Sequence, residues 1–237
     1  MWSGPRNIST AMMRSFGSRA DCAVSDEPFY GAFLKESGEP HPMAAETIAD
    51  MDCDWDSVAA TQSGAAPDGQ PIWYQKHMPH HMVGPVSIAD FPDHRHAFLI
   101  RAPERVVASY RNKNELRRAE MLGFAQLRQY FDLERSRTGA IPPVVDSDDI
   151  LEDPAGVLAA LCDALGIDWD PAMLAWKKGP LPEDGVWGEH WYDKVNASTG
   201  FGAAPGPLPE LEGAYAEVAA ECGEDYLALK RHAITAK

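Results

Sequence analysis

Short apolar runs alternate along this chain with stretches whose apolar positions recur at helical spacing. Ile72-Trp73-Tyr74-Gln75, Ala97-Phe98-Leu99-Ile100 and Pro143-Val144-Val145 are compact and β-favouring, which predicts strands; Ala23-Val24-Ser25 reads as a shorter one. Helical spacing follows Ser3-Gly4-Pro5-Arg6-Asn7-Ile8-Ser9-Thr10 directly, in Ala11-Met12-Met13-Arg14-Ser15-Phe16. Further helices are predicted at about 44–51, from Pro103 with Val106, Val107 and Tyr110 as its apolar face, and at 121–135, 154–165, 171–176 and 208–232. The last is expected to break at Gly223, and a brief helical stretch should run through Leu34. Strands alternating with helices predict an α/β fold: three layers, with a mainly parallel sheet and helices on both faces.

In such folds ligands bind beyond the carboxyl ends of the strands. Arg6, Glu27, Lys76 with His77, Arg101 and Asp149 all fall at or near those ends. The opening stretch carries the clearest chemistry. A glycine–proline turn bearing a cation and two hydroxyls leads into a helix whose first N–H groups have no intrahelical partner, and this suits an anion. Arg6 adds a planar donor fork matched to phosphate or sulfate, and Ser9 or Thr10 is expected to cap the helix. An ordinary N-capped helix after a tight turn also fits. The stretch is not the nucleotide-triphosphatase loop, because Ser9 and Thr10 stand where that signature needs Gly and Lys. Only Met1 and Trp2 precede it, so its strand is expected to be very short or the chain to begin late.

Composition narrows the partners. At 237 residues the chain suits one domain, 1–237, and its net charge of −15 argues against non-specific nucleic-acid or anionic-membrane binding. An anionic ligand must then be gripped by a local cluster of cations. Cys22, Cys53, Cys162 and Cys222 are widely spaced and read as reduced thiols. With no signal peptide and no bilayer-spanning apolar run, a soluble, cytoplasmic protein is expected.

A second anion segment is Arg101-Ala102-Pro103-Glu104-Arg105-Val106-Val107-Ala108-Ser109, with Ser109 about two helical turns beyond a strand-end arginine. This spacing resembles the 3′-phosphate segment of the sulfotransferases that use 3′-phosphoadenosine 5′-phosphosulfate (PAPS). The opening loop is similar to that family's 5′-phosphosulfate loop, Lys76-His77-Met78-Pro79 to its strand-end segment with the catalytic His, and Asp148 to Pro154 to its acidic Asp-Leu…Pro element. Asp26 to Tyr30 and Gly185-Val186-Trp187 suggest a bacterial branch. Ile8 stands where many members have Gly, and Arg6 where the cytosolic animal enzymes have Lys.

The resemblance implies a P-loop-like sulfotransferase fold and transfer of a sulfuryl group from PAPS to a hydroxyl or amine of a small-molecule acceptor, with no metal required. Gly4, Pro5, Arg6, Asn7, Ile8, Ser9 and Thr10 would hold the 5′-phosphate, and Arg101 with Ser109 the 3′-phosphate. Lys76 would contact the oxygen bridging sulfur and phosphorus. His77 would be the base, with Glu27 its rival, since some branches place a Glu after the second strand. Other readings are a non-catalytic nucleotide-binding or regulatory protein on the same fold, or a kinase-like phosphotransferase. A metal site built on His77, His80 and His81 with Asp90, Asp93, His94 or His96 lacks recognisable ligand spacing. Asp149 is expected to bond the backbone structurally. Trp187, Trp191, Tyr192 and Phe201, with His190, read either as core or as part of a lid or acceptor-side loop over 177–207.

Overall fold

A computed structural model describes residues 1–112, 115–116 and 118–236. Among the described residues, five short strands are all parallel: β1 (Trp2–Ser3), β2 (Cys22–Asp26), β3 (Ile72–Lys76), β4 (Phe98–Ile100) and β5 (Val144–Asp146). β1, β4 and β5 pair in that order, as do β2 and β3. The two groups join where Trp2 bridges His77, through Ser3 N–H donating to the His77 carbonyl (3.0 Å) and His77 N–H to the Met1 carbonyl (2.9 Å). The resulting order is β2-β3-β1-β4-β5, with the opening strand at the centre. β1 is indeed very short.

Strand periodicity sorts the core into two layers. Leu99 and Val145 face α1 (Ser9–Gly17) and a later helix, 154–165, through Met12, Met13, Phe16, Leu158 and Leu161. Phe98, Ile100 and Val144 face the other way, onto Leu127, Phe131 and Leu229. Burial on both faces is why β4 and β5 read as unbroken apolar runs.

The first half of the chain adds α2 (Tyr30–Ser37), α3 (Ala44–Asp50), α4 (Trp55–Gln62) and α5 (Pro103–Tyr110). After these come α6 (Phe124–Thr138), α7 (Ser147–Glu152), α8 (Pro154–Leu165), α9 (Gly188–Trp191), α10 (Asp193–Asn196) and α11 (Ala214–Lys230). Several expectations are corrected. α4 was not anticipated among small and polar residues; Asp54 caps it, its side chain accepting from Ser57 N–H at 2.9 Å. Pro171–Leu174 is a single 3₁₀ turn, not a helix to 176. α11 starts at Ala214 and runs through Gly223 unbroken, because its packing against α5 and α6 outweighs the glycine's cost. All four cysteines are free thiols. Among the described residues, no helix is long and apolar enough to cross a membrane.

Candidate active site

A cavity of about 640 Å³ opens at the carboxyl ends of β1, β3 and β4. One wall is the 4–10 loop, tied down from several directions. Asn7 Nδ2 donates to the Leu99 carbonyl (3.2 Å), and Arg101 donates to the Arg6 carbonyl (2.9 Å). Ser147 Oγ lies 2.8 Å from the carbonyls of both Asn7 and Ile100, which share its proton. A Cβ on Gly4 would sit 2.5 Å from the Leu122 carbonyl oxygen, so the loop passes that backbone where only glycine fits.

These anchors hold an unfavourable backbone. Arg6 (φ 63°) and Ile8 (φ 58°) are both left-handed, and for a β-branched residue that conformation is an outlier. A glycine would adopt this conformation without cost; here the half-buried isoleucine packs on the core instead. The expected cap is also corrected. Ile8, not Ser9 or Thr10, is the N-cap of α1 and offers no side-chain bond. Ser9 and Thr10 lie inside the first turn and both line the cavity, and the amides of that turn have no intrahelical partner.

The predicted cations converge here. Arg6 Nε donates to Ser109 Oγ at 3.0 Å, and Arg101 lies beside them. Arg101 Nε is buried and finds no hydrogen-bond partner among the described residues; its nearest carboxylate oxygen, on Asp148, is 3.9 Å away. Asp148 is engaged by Arg105 at 2.6 Å. Burial lowers the pKa of both Arg6 and Arg101 from the ordinary guanidinium value. Two partly desolvated cations with an orphaned donor form a site suited to a phosphate.

At the β3 end the cavity meets a different arrangement. Lys76 Nζ is buried 2.6 Å from Asp26 Oδ1, 2.8 Å from Glu27 Oε1, 2.8 Å from Tyr192 OH and 3.4 Å from Thr10 Oγ1. Burial opposes its charge, but the two carboxylates more than offset this and raise its pKa well above the usual lysine value. Glu27 Oε2 lies 3.6 Å from His81 Nδ1, and the His81 ring stacks on Tyr30 and Phe33. Trp187, Trp191 and Tyr192 line the same end; Trp176 and Phe201, packed edge to face, line the cavity further along.

His77 is not among the lining residues. The side-chain alternation that sends Lys76 into the cavity turns His77 to the opposite face. There it stacks on Trp2 (4.7 Å between centroids) near Phe29 and Phe91, with Nε2 3.1 Å from Gln75 Oε1. Asp149 is another correction: its carboxylate pairs with Lys230 (2.7 Å) and joins α7 to α11. Sequence reasoning missed Asp26, Ser147 and His81 as parts of the site. Asp26 was visible beside Glu27 at a strand end, but no spacing links Tyr192 to Lys76. Among the described residues no group of three or more His, Cys, Asp or Glu is placed to hold a metal.

Comparison with known proteins gives these features a context. The family model described as "Sulfotransferase domain" matches residues 1–232. Branched-chain-amino-acid aminotransferase-like protein 2 of Arabidopsis thaliana is 35% identical over 210 residues, covering 88% of this chain and 37% of that protein. Its paralogue, protein 1, is 36% identical over 201 residues, covering 84% and 36%. The chain thus spans little more than a third of the length of these curated relatives. Among solved structures, the sulfotransferase domain from the curacin biosynthetic pathway aligns with TM-score 0.52 and 14% identity, over 93% of this chain and 95% of that one. A sulfotransferase from Alicyclobacillus acidocaldarius aligns with TM-score 0.53 and 14% identity, over 98% and 93%. Both share the fold.

Proposed function

This chain belongs to the sulfotransferase domain family, and on that premise we propose that it uses PAPS to sulfate a hydroxyl or amine of a small-molecule acceptor. One observation carries the reading. Arg6, far in sequence from the other two, donates to Ser109 Oγ and accepts from Arg101 through its carbonyl, so the three gather at the cavity into which the first turn of α1 opens.

Bound PAPS would supply an activated sulfuryl group on its 5′-phosphate. The chain's residues divide the remaining work. Arg6, Arg101 and Ser109 would hold the 3′-phosphate, so Arg6 joins the second anion segment and not the 5′ loop alone. The first-turn amides of α1, with Ser9 and Thr10, would hold the 5′-phosphate, where the helix dipole favours negative charge. Lys76, beside Thr10, would stabilise the charge that develops on the leaving phosphate. Glu27 lines the cavity and is assigned the acceptor's proton, in place of His77. The rings of Tyr30, Trp187 and Trp191 exclude water around the acceptor and give it an apolar seat.

Calorimetric titration with adenosine 3′,5′-bisphosphate, against ATP as control, tests the reading. The bisphosphate should bind more tightly than ATP, and Ser109→Ala should weaken it about tenfold, as expected for one hydrogen bond to a charged group. A preference for ATP would overturn the reading in favour of a phosphotransferase. Tight bisphosphate binding without turnover on any acceptor would favour a non-catalytic nucleotide-binding protein.

A further inference from the structure

Tyr192 lies 116 residues from Lys76 in the chain, yet its hydroxyl is part of the cage around that amine. Donor and acceptor counting fixes the direction of each bond. The ammonium has three N–H groups and no acceptor, and Asp26, Glu27 and Tyr192 take them at 2.6, 2.8 and 2.8 Å. Tyr192 has one proton, and its 2.5 Å contact with Asp26 Oδ2 is where that proton goes. Its oxygen is then left to accept from Lys76 and, at 3.3 Å, from Trp187 Nε1. Every donor in this set has an acceptor, and the side chains of Lys76 and Asp26 are 1% and 0% exposed.

We propose that Tyr192 is a positioning residue for Lys76: its hydroxyl, carried between α9 and α10, closes the cage that holds the cation at the cavity wall, so Lys76 is correctly placed only while that segment is docked. This inference rests on the sulfotransferase reading for its catalytic consequence, but the placement itself is a property of the free protein. Without Tyr192, nothing in the cage belongs to the segment beyond residue 76. Lys76 would then lean on its two carboxylates and the longer Thr10 contact, and Asp26 would lose its second donor. Asp26 is the group most sensitive to this. Burial pushes its pKa up to about 6, with Lys76 opposing and Glu27 adding to the rise, and the Tyr192 hydrogen bond favours the ionised form.

The test is Tyr192→Phe, which keeps the ring against Trp187 and removes one oxygen. In the ligand-free protein, the ammonium protons of Lys76, followed by ¹⁵N NMR, should exchange at least tenfold faster than in the wild type. In turnover, kcat should fall about tenfold with KM for PAPS within about twofold, and the acid limb of the kcat profile should move to higher pH. In an Asp26→Asn background, which keeps the shape of the cage, Tyr192→Phe should no longer move that limb. Unchanged Lys76 exchange in a folded Tyr192→Phe protein would overturn the proposal, as would an unmoved kcat and pH profile. Failure of the wild-type protein to bind adenosine 3′,5′-bisphosphate would instead overturn the sulfotransferase reading, and the NMR arm would still decide the placement.

Discussion

Replacing Asp184 with Ala should be among the most damaging changes outside the cavity. Arg14, on the second turn of α1, has a fully buried side chain whose carboxylate partner is Asp184 at 2.5 Å; Asn196 Oδ1 accepts from it at 2.9 Å. Its Nε and second terminal nitrogen find no hydrogen-bond partner among the described residues, so little remains to compensate a lost carboxylate. Stranding a buried charge costs about 3–5 kcal/mol, and Asn196 places this case near the lower end, at about 3. Asp184 also accepts from the Leu181 amide at 2.9 Å, which adds about 1 kcal/mol. The sum, about 4 kcal/mol, is a large share of the 5–15 kcal/mol typical of a folded domain. Urea unfolding of Asp184→Ala, Arg14→Met and the double variant measures it. The double variant should be less destabilised than the sum of the singles by about 2 kcal/mol, because it no longer buries an unpaired ion. Strict additivity, or a cost below about 1 kcal/mol for Asp184→Ala, would show that water or rearrangement satisfies Arg14 and would refute the reasoning.

Three further outcomes follow from the geometry. Gly4→Ala drives a methyl into the Leu122 carbonyl, so it should cost about 1–3 kcal/mol and weaken bisphosphate binding at least tenfold by displacing the loop, read by thermal unfolding and calorimetry. Glu27→Gln should reduce kcat at least a hundredfold with bisphosphate affinity within about threefold, whereas His77→Ala, lacking access to the cavity, should reduce stability more than kcat; the reverse pattern would return the base to His77. Stability should also fall as pH drops from 6 to 5. His77, His81 and His96 are 5–6% exposed, and burial lowers all three pKa values, His96 to about 4. Burial likewise lowers His41, His80, His94 and the Met1 amino group, the last to about 5, so below about pH 6.5 the unfolded chain binds protons that the native protein refuses. Asp26, raised to about 6, works the other way, since the native protein gains its proton first. Each net proton corresponds to about 1.4 kcal/mol per pH unit, and a flat or rising denaturation midpoint over this range would contradict the expected fall.

The parallel α/β architecture was legible because β4 and β5 are buried on both faces, and such strands must be apolar throughout. The loop proposed to bind the anion was legible for a related reason. A loop that meets a phosphate at a helix start needs glycine, a cation and hydroxyls within a few residues, so Gly4, Arg6, Ser9 and Thr10 announce themselves locally. Arg101 and Ser109 are likewise fixed by one strand end and two helical turns. α4 was not legible, because its small and polar residues carry weak helical periodicity and its start depends on one Asp54 cap.

What the sequence determined by itself is therefore what short-range periodicity sets: the layers, the strands and the helix start that carries Gly4, Arg6, Ser9 and Thr10. Tertiary structure alone decided which neighbours share a space. Lys76 and His77 are adjacent in sequence and face opposite sides of the sheet, because strand side chains alternate. Arg6 turned towards Ser109, and Tyr192 came to Lys76 from far along the chain. Those encounters depend on how β1, β3 and β4 stack side by side and on where the segment after residue 177 docks. No spacing along the chain encodes them, since the energy that fixes them comes from contacts between residues that are neighbours only in the folded state.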